Sequence, residues 1–281
     1  MAVGFAMAAA HAAPAPQRVD LPPLPSGVVL HAHWLPAEGA ERRPAVLALH
    51  GCGGLYAKGG GLAVRYREMA ERLHAAGYAV LMPDSFGSRG LRDICQTRYR
   101  DRSVDVAQRV QDARAALAWL AAQPQVDARR IGVLGWSNGA TTTLNLLEQR
   151  RTRPEPGEPA IAGAAVFYPG CGPQARRQAV LEAAPLLILL GALDDWTPAQ
   201  PCVDFARSLQ ARSGGSDITV QVYDNSYHGF DGTAPVRLRA DVPNGTSPEG
   251  VHQGGNPEAR AKSLAALDVF WSRVLATRAA P

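Results

Sequence analysis

Lysine is nearly absent from this chain: Lys58 and Lys262 are the only two, so the formal charge of +4 rests almost wholly on arginine. The arginines are scattered among acids and do not stack on one helical face, which argues against a nucleic-acid surface. No apolar run reaches the roughly eighteen residues that a spanning helix needs, so no membrane span is expected. Cys-x-x-Cys spacing is missing, which argues against a structural zinc, and no other metal or cofactor is called for. The glycine-rich stretch after Leu49 lacks the Lys-Ser or Lys-Thr of a phosphate-cradling loop, so nucleotide binding has no support. Internal repeats are missing too, as is any linker able to divide the chain into two domains.

What remains is material for one large core. Hydrophobic residues make up 46% of the 281, enough to exclude wholesale disorder. Residues 1–17 are alanine-rich, and Ala10-His11-Ala12 offers a small-x-small cleavage point. This start reads as an export signal without its basic flank, or else as a loose tail ahead of a domain over 18–281; export is the preferred reading. Four cysteines, an even number, agree with it. Cys171 follows the apolar run Ile161–Phe167 and Cys202 follows Leu186–Leu190. If those runs are neighbouring strands, the two cysteines emerge at one edge and can pair, with Cys52 and Cys95 as the second bridge. The alternative is four reduced thiols in a cytosolic enzyme.

Apolar runs alternate with amphipathic ones. Strands are expected at Val28–Leu35, Pro44–His50, Tyr78–Met82, Ile161–Phe167, Leu186–Leu190 and Ile218–Tyr223. Helices are expected around Val64–Ala76, over Asp105–Gln123 (Val106, Val110, Ala113, Leu117 and Leu120 share a face), at Cys202–Arg212 and at Ala259–Leu275. Loops are expected at Asp84–Arg102, Thr152–Pro159 and Gly229–Pro257. Such alternation implies an α/β domain, a mostly parallel sheet with helices on both faces.

The chain is organised around Ile131-Gly132-Val133-Leu134-Gly135-Trp136-Ser137-Asn138-Gly139-Ala140, an apolar run ending in Gly-x-Ser-x-Gly ahead of a small-residue helix. A serine at that turn is exposed on one side, with backbone N–H groups of a helix start beside it. A hydroxyl needs a base, and the base needs an anion behind it. Two later strands supply both in the expected order: Leu186–Leu190 runs into Gly191-Ala192-Leu193-Asp194-Asp195, and Ile218–Tyr223 runs into Tyr227-His228-Gly229-Phe230. Asp194, first after its strand, is the preferred acid, and Asp195 is expected to cap the short helix ahead of Pro198 or to face solvent. Of the other histidines, His50 is expected to shape the glycine loop by hydrogen bonding, and His31, His33, His74 and His252 to be surface residues. An oxyanion hole would draw on the N–H groups of Asn138 and Cys52.

The segments His50-Gly51-Cys52-Gly53-Gly54, Pro83-Asp84-Ser85-Phe86, Gly135-Trp136-Ser137-Asn138-Gly139, Gly191-Ala192-Leu193-Asp194-Asp195-Trp196-Thr197-Pro198 and Tyr227-His228-Gly229-Phe230 resemble the dienelactone hydrolase family of α/β-hydrolases, over roughly Pro44 to Leu275. The resemblance implies hydrolysis of a small ester or lactone by Ser137, His228 and Asp194, and it favours Asp194 as lying four residues before the proline. The family's namesakes carry cysteine as nucleophile, so Ser137 points to a serine esterase. Those namesakes grip a substrate carboxylate with arginine, a role for which Arg89 is the candidate here; Trp136 and Trp196 are candidates to line an acyl pocket. The same chemistry would serve a peptidase or a thioesterase, and a silent binding protein could keep the fold.

Overall fold

The computed structural model describes residues 15–153, 155–212 and 217–276. Most of the alanine-rich start lies outside them. Eight strands form one sheet in the order β1-β2-β4-β3-β5-β6-β7-β8. They are β1 (Gln17–Asp20), β2 (His31–Leu35), β3 (Arg43–Leu49), β4 (Ala79–Pro83), β5 (Val126–Trp136), β6 (Ile161–Phe167), β7 (Leu186–Gly191) and β8 (Ile218–Tyr223). The β1–β2 and β2–β4 pairs are antiparallel; all pairs from β4 through β3 to β8 are parallel.

Strand alternation sends successive side chains to opposite faces, and the two faces are covered by different helices. Ala45, Leu47 and Leu49 join a core with α2 (Val106–Ala121), α3 (Asn138–Thr152) and α5 (Ala199–Arg212). Val46 and Ala48 join another with α1 (Val64–Ala75) and α6 (Pro257–Val274). A short α4 (Gly172–Arg176) follows β6. Helix α2 opens on a full capping box, Asp105 accepting from the Gln108 N–H while the Gln108 side chain accepts from Asp105 N–H.

Three features differ from expectation. The first expected strand is preceded by β1, a short exposed edge strand whose Gln-Arg-Val-Asp carries no hydrophobic alternation to announce it. The stretch 229–257 is not wholly loop: β9 (Arg237–Arg239) and β10 (Val251–Gln253) pair antiparallel within it. His74 is buried, with Nε2 at 3.1 Å from the Pro36 carbonyl. Both disulfides form, Cys52–Cys95 and Cys171–Cys202. The second follows from β6 and β7 being sheet neighbours, which brings the segments after them to one edge.

Candidate active site

Parallel strands deliver their carboxyl ends to one rim of the sheet, and the site is assembled there. At the end of β5, Ser137 has φ 51° and ψ −114°, a backbone state that non-glycine residues rarely hold. The glycines on either side make the turn sterically possible. A Cβ on Gly135 would lie 2.5 Å from the Gly139 carbonyl oxygen, and one on Gly139 only 2.0 Å from that of Leu49. Strand β5, helix α3 and the end of β3 are therefore packed backbone to backbone around the serine.

Three side chains from three strand ends meet. Ser137 Oγ lies 2.9 Å from His228 Nε2, and His228 Nδ1 lies 2.9 Å from Asp194 Oδ2. A carboxylate only accepts, so the imidazole carries its proton on Nδ1 and presents Nε2 to the hydroxyl as an acceptor. Asp194 is held in turn: its Oδ1 accepts the N–H groups of Trp196 at 2.9 Å and Thr197 at 2.8 Å. The Thr197 hydroxyl sits 3.1 Å from both Asp194 Oδ2 and His228 Nδ1, and donates to the Tyr168 carbonyl at 3.0 Å. Both Asp194 and His228 are buried, so the ion pair that forms when the imidazole is charged would be poorly screened by solvent. This is the geometry of a Ser137-His228-Asp194 catalytic triad.

The neighbouring carboxylate has a different task from the one expected. Asp195 accepts from the backbone N–H of His252 at 2.8 Å, and its other oxygen lies 2.7 Å from His252 Nδ1. The capping bonds expected of Asp195 are made by Asp194, and His252 is half exposed but tethered rather than freely solvated. Asp195 thus anchors the long 229–257 segment beside the triad.

Beneath the triad lies a polar cluster that periodicity and spacing do not reveal. Asp231 is buried and takes the Tyr168 hydroxyl at 2.7 Å, the Trp136 indole N–H at 3.0 Å and, as an ion pair, Arg65 Nε at 3.0 Å. The Tyr168 ring lies 4.5 Å from the His228 ring, and Trp196 covers it at 4.6 Å from another side. Burial drives the Tyr168 hydroxyl well above its ordinary pKa, so it stays a donor. A signal existed in the Phe230-Asp231 step, an acid directly after an aromatic that packs into the core.

On the β3 side, His50 shapes the glycine loop as expected. Its Nδ1 donates to the Gly51 carbonyl at 2.8 Å and its Nε2 accepts the Ser85 N–H at 3.2 Å. Complete burial, reinforced by the Arg109 charge, holds its pKa well below 6.5. Arg109 itself is buried on the apolar face of α2, donates to Asn138 Oδ1 at 2.6 Å, and lies over the Phe86 ring at 5.1 Å. Desolvation lowers its pKa to about 10, which still leaves it charged at neutral pH. Cys52 is pinned twice, by its disulfide and by its carbonyl, which accepts the Ile94 N–H at 2.9 Å.

Two cavities meet at the serine. One of about 480 Å³ is lined by Ser137, Asn138, Cys52, Val104 and Trp196 among others. The other, of about 180 Å³, is lined by Ser137, His228, Trp136, Trp196, Cys52 and Tyr168 with further residues. A cavity of about 600 Å³ between α1 and the 229–255 stretch reaches Arg65 but not Ser137. Of the residues expected near substrate, Trp136 and Trp196 are therefore at the site, Trp136 with its indole N–H committed to Asp231. Arg89 is not. It donates bidentately to Asp112 at 2.7 and 2.9 Å and to the Ser85 carbonyl at 2.7 Å, and lines neither cavity. The buried acid of α2 lies directly below the loop and claims the guanidinium. Among the described residues no cluster of His, Cys, Asp and Glu is placed to hold a metal ion, and no helix is long and apolar enough to cross a membrane.

Comparison with known proteins gives the same picture. Solved structures that superpose on the chain include a dienelactone hydrolase-like promiscuous phosphotriesterase from metagenomic libraries, with TM-score 0.66 and 22% identity over 93% of this chain and 99% of that one. The structure of a Klebsiella pneumoniae protein described as a putative dienelactone hydrolase gives TM-score 0.66 at 18% identity, over 92% and 98% of the two chains. Thermogutta terrifontis esterase 2 with bound propionate gives 0.65 at 18%, over 95% and 97%. At such identities these likenesses speak for the fold alone. An uncharacterized protein of Mycobacterium tuberculosis is 31% identical over 186 residues, and the match spans 62% of this chain and 60% of that relative's length. The model of the dienelactone hydrolase family matches residues 31–268, and the chain belongs to that family.

Proposed function

We propose that the protein is a serine hydrolase that cleaves a carboxylic ester or lactone through an acyl-enzyme. The observation that carries this is the pair of 2.9 Å contacts joining Ser137, His228 and Asp194, with the serine held in a strained turn at the start of α3.

In this reading Ser137 Oγ attacks the substrate carbonyl carbon as its proton passes to His228 Nε2. The imidazolium so formed is stabilised by the buried Asp194 carboxylate, which two backbone N–H groups hold in place. The N–H groups of Cys52 and Asn138 take the developing oxyanion. Support for this comes from both residues lining the larger cavity beside the serine, and from the double pinning of Cys52. Arg109, bound to Asn138 Oδ1, adds a fixed positive potential below the same point. His228 then protonates the leaving alcohol, and a water activated by the same Nε2 releases the acid and restores Ser137. Two disulfides in one domain also support an exported protein.

The test is Ser137→Ala with turnover of simple esters, alongside labelling by a fluorophosphonate. The variant should fold as the parent does, lose several orders of magnitude in kcat and take no label. Ester turnover retained in Ser137→Ala would refute the proposal.

A further inference from the structure

The two cavities that flank Ser137 differ in size, lining and relation to His228, and together these assign the halves of the substrate. His228 must give its proton to the leaving oxygen, so that oxygen has to lie within hydrogen-bond reach of Nε2. His228 lines the cavity of about 180 Å³ and not the one of about 480 Å³. The smaller space carries polar groups of Tyr56, Tyr66, Arg65, Arg239 and Gln253. The larger carries Val104, Val106, Ala107, Pro173 and Trp196, and runs along the first turn of α2.

Two charged residues border the larger cavity, and both are otherwise engaged. Asp105 accepts the Gln108 N–H at 2.8 Å as the cap of α2. Arg102 lies over the Tyr99 ring at 4.5 Å and donates from Nε to the Thr97 carbonyl at 3.2 Å. Thr141, Thr197 and Asn138 add uncharged polar groups, but the lining is mostly apolar, and such a space rewards methylenes and aromatic rings rather than a second carboxylate.

We infer that the protein is selective on the acid side of the ester: the cavity of about 480 Å³ receives the acyl group, and the favoured substrates are esters of bulky apolar acids with small alcohols. This rests on Ser137 and His228 acting as proposed above. The residues that set acyl length are Ala107, exposed where α2 borders the cavity, and Gly170, in the turn after β6. A Cβ on Gly170 would meet only Thr141 Oγ1 at 3.5 Å and Thr197 Cγ2 at 3.8 Å, ordinary contacts, so a larger side chain can be carried there.

The experiment compares two ester series in a pH-stat: methyl esters of straight-chain acids from acetate to decanoate, and acetates of alcohols from methanol to octanol. Along the acyl series kcat/KM should rise roughly fourfold per methylene until the cavity is full, the factor matching about 0.8 kcal/mol per buried CH₂; along the alcohol series it should stay flat or fall. Gly170→Leu should cost the longest acyl ester about fifteenfold relative to acetate, the equivalent of roughly two lost methylenes, without steepening or flattening the alcohol series. Ala107→Trp, on a different element, should do the same and guards against a folding defect in the first variant. An alcohol series steeper than the acyl series, or variants that change only the alcohol series, would overturn the assignment while leaving the hydrolase intact. Failure of the hydrolase reading looks different: the parent would turn over neither series and Ser137 would resist the fluorophosphonate.

Discussion

Replacing Asp231 by leucine should cost more stability than any substitution in the triad itself. The carboxylate is buried, accepts from the Tyr168 hydroxyl at 2.7 Å and the Trp136 indole N–H at 3.0 Å, and forms an ion pair with Arg65 at 3.0 Å. Its loss leaves two neutral donors without partners, at about 1–3 kcal/mol each. It also breaks an ion pair, which for a fully buried pair costs about 3–5 kcal/mol. Arg65 is 24% exposed and keeps its bond to the Gly229 carbonyl, so its guanidinium can turn toward water and the ionic part is discounted. With about 1 kcal/mol left for the ionic part, the expectation for Asp231→Leu is about 3–7 kcal/mol in all, read from urea unfolding at neutral pH. Asp231→Asn keeps one acceptor oxygen and should lose about half of that. Arg65→Met in the Asp231→Leu background should recover at least about 1 kcal/mol, because the cation left behind by the first change is gone. Activity should fall with Asp231→Asn as well, since Tyr168 packs on His228. A stability of Asp231→Leu within about 0.5 kcal/mol of the parent, the range of an ordinary surface change, would refute the view that this cluster supports the site.

Further tests address other parts of the molecule. Below pH 6.5 the unfolded chain binds a proton at His50 that the folded chain refuses, so folding stability should drop as pH falls, by up to about 1.4 kcal/mol per unit from this group; unfolding titrations at pH 7, 6 and 5 should show a shallower slope in His50→Gln, and an unchanged slope would reject the assignment. Removing the Cys52–Cys95 disulfide, which spans 43 residues, should cost about 4 kcal/mol on chain-entropy grounds, and kcat should fall further than stability alone explains if Cys52 N–H serves the oxyanion. Asp194→Ala should lower kcat by roughly four orders of magnitude, whereas Asp195→Ala should leave most of kcat and instead increase protease cleavage within 229–257; equal kinetic losses in the two would contradict their separate roles.

The parts of this molecule legible in its sequence are those governed by local rules. Gly135 and Gly139 frame Ser137 because backbone must approach backbone there, and that requirement is written in five consecutive residues. Asp194 is legible for a related reason: it is the first polar residue after the wholly apolar β7, and parallel strands bring such positions to one rim, whereas His228 lies beyond the mixed strand β8 and is legible by its place in the Ser, Asp, His order. Arg89 shows where the rule stops. Its loop follows the carboxyl end of β4, but the direction of its side chain is decided by Asp112, on a helix that packs beneath the loop. Arg109 is hidden in the same way, since a charged residue on an apolar face looks like a fault in the pattern until its partner is known, and Asp231 is hidden because it sits in a turn with no periodicity to mark it as buried.

The consecutive acids Asp194 and Asp195 carry this reasoning one step further. Successive side chains in a turn point apart, so the two carboxylates address different histidines, one in the triad and one in the 229–257 segment. That segment returns to the triad by a second route, for Gly254 N–H donates to the His228 carbonyl at 3.0 Å and Gln253 bridges to His228 beside it. The catalytic imidazole is thereby fixed through its ring by Asp194 and through its backbone by the segment that Asp195 anchors. A long segment with little hydrophobic periodicity reads as an appendage, yet here it forms a wall of the smaller cavity through Arg239 and Gln253. Its length is therefore a property of the site, and loosening it at Asp195 should disturb the leaving-group side of the substrate before it disturbs the acyl side.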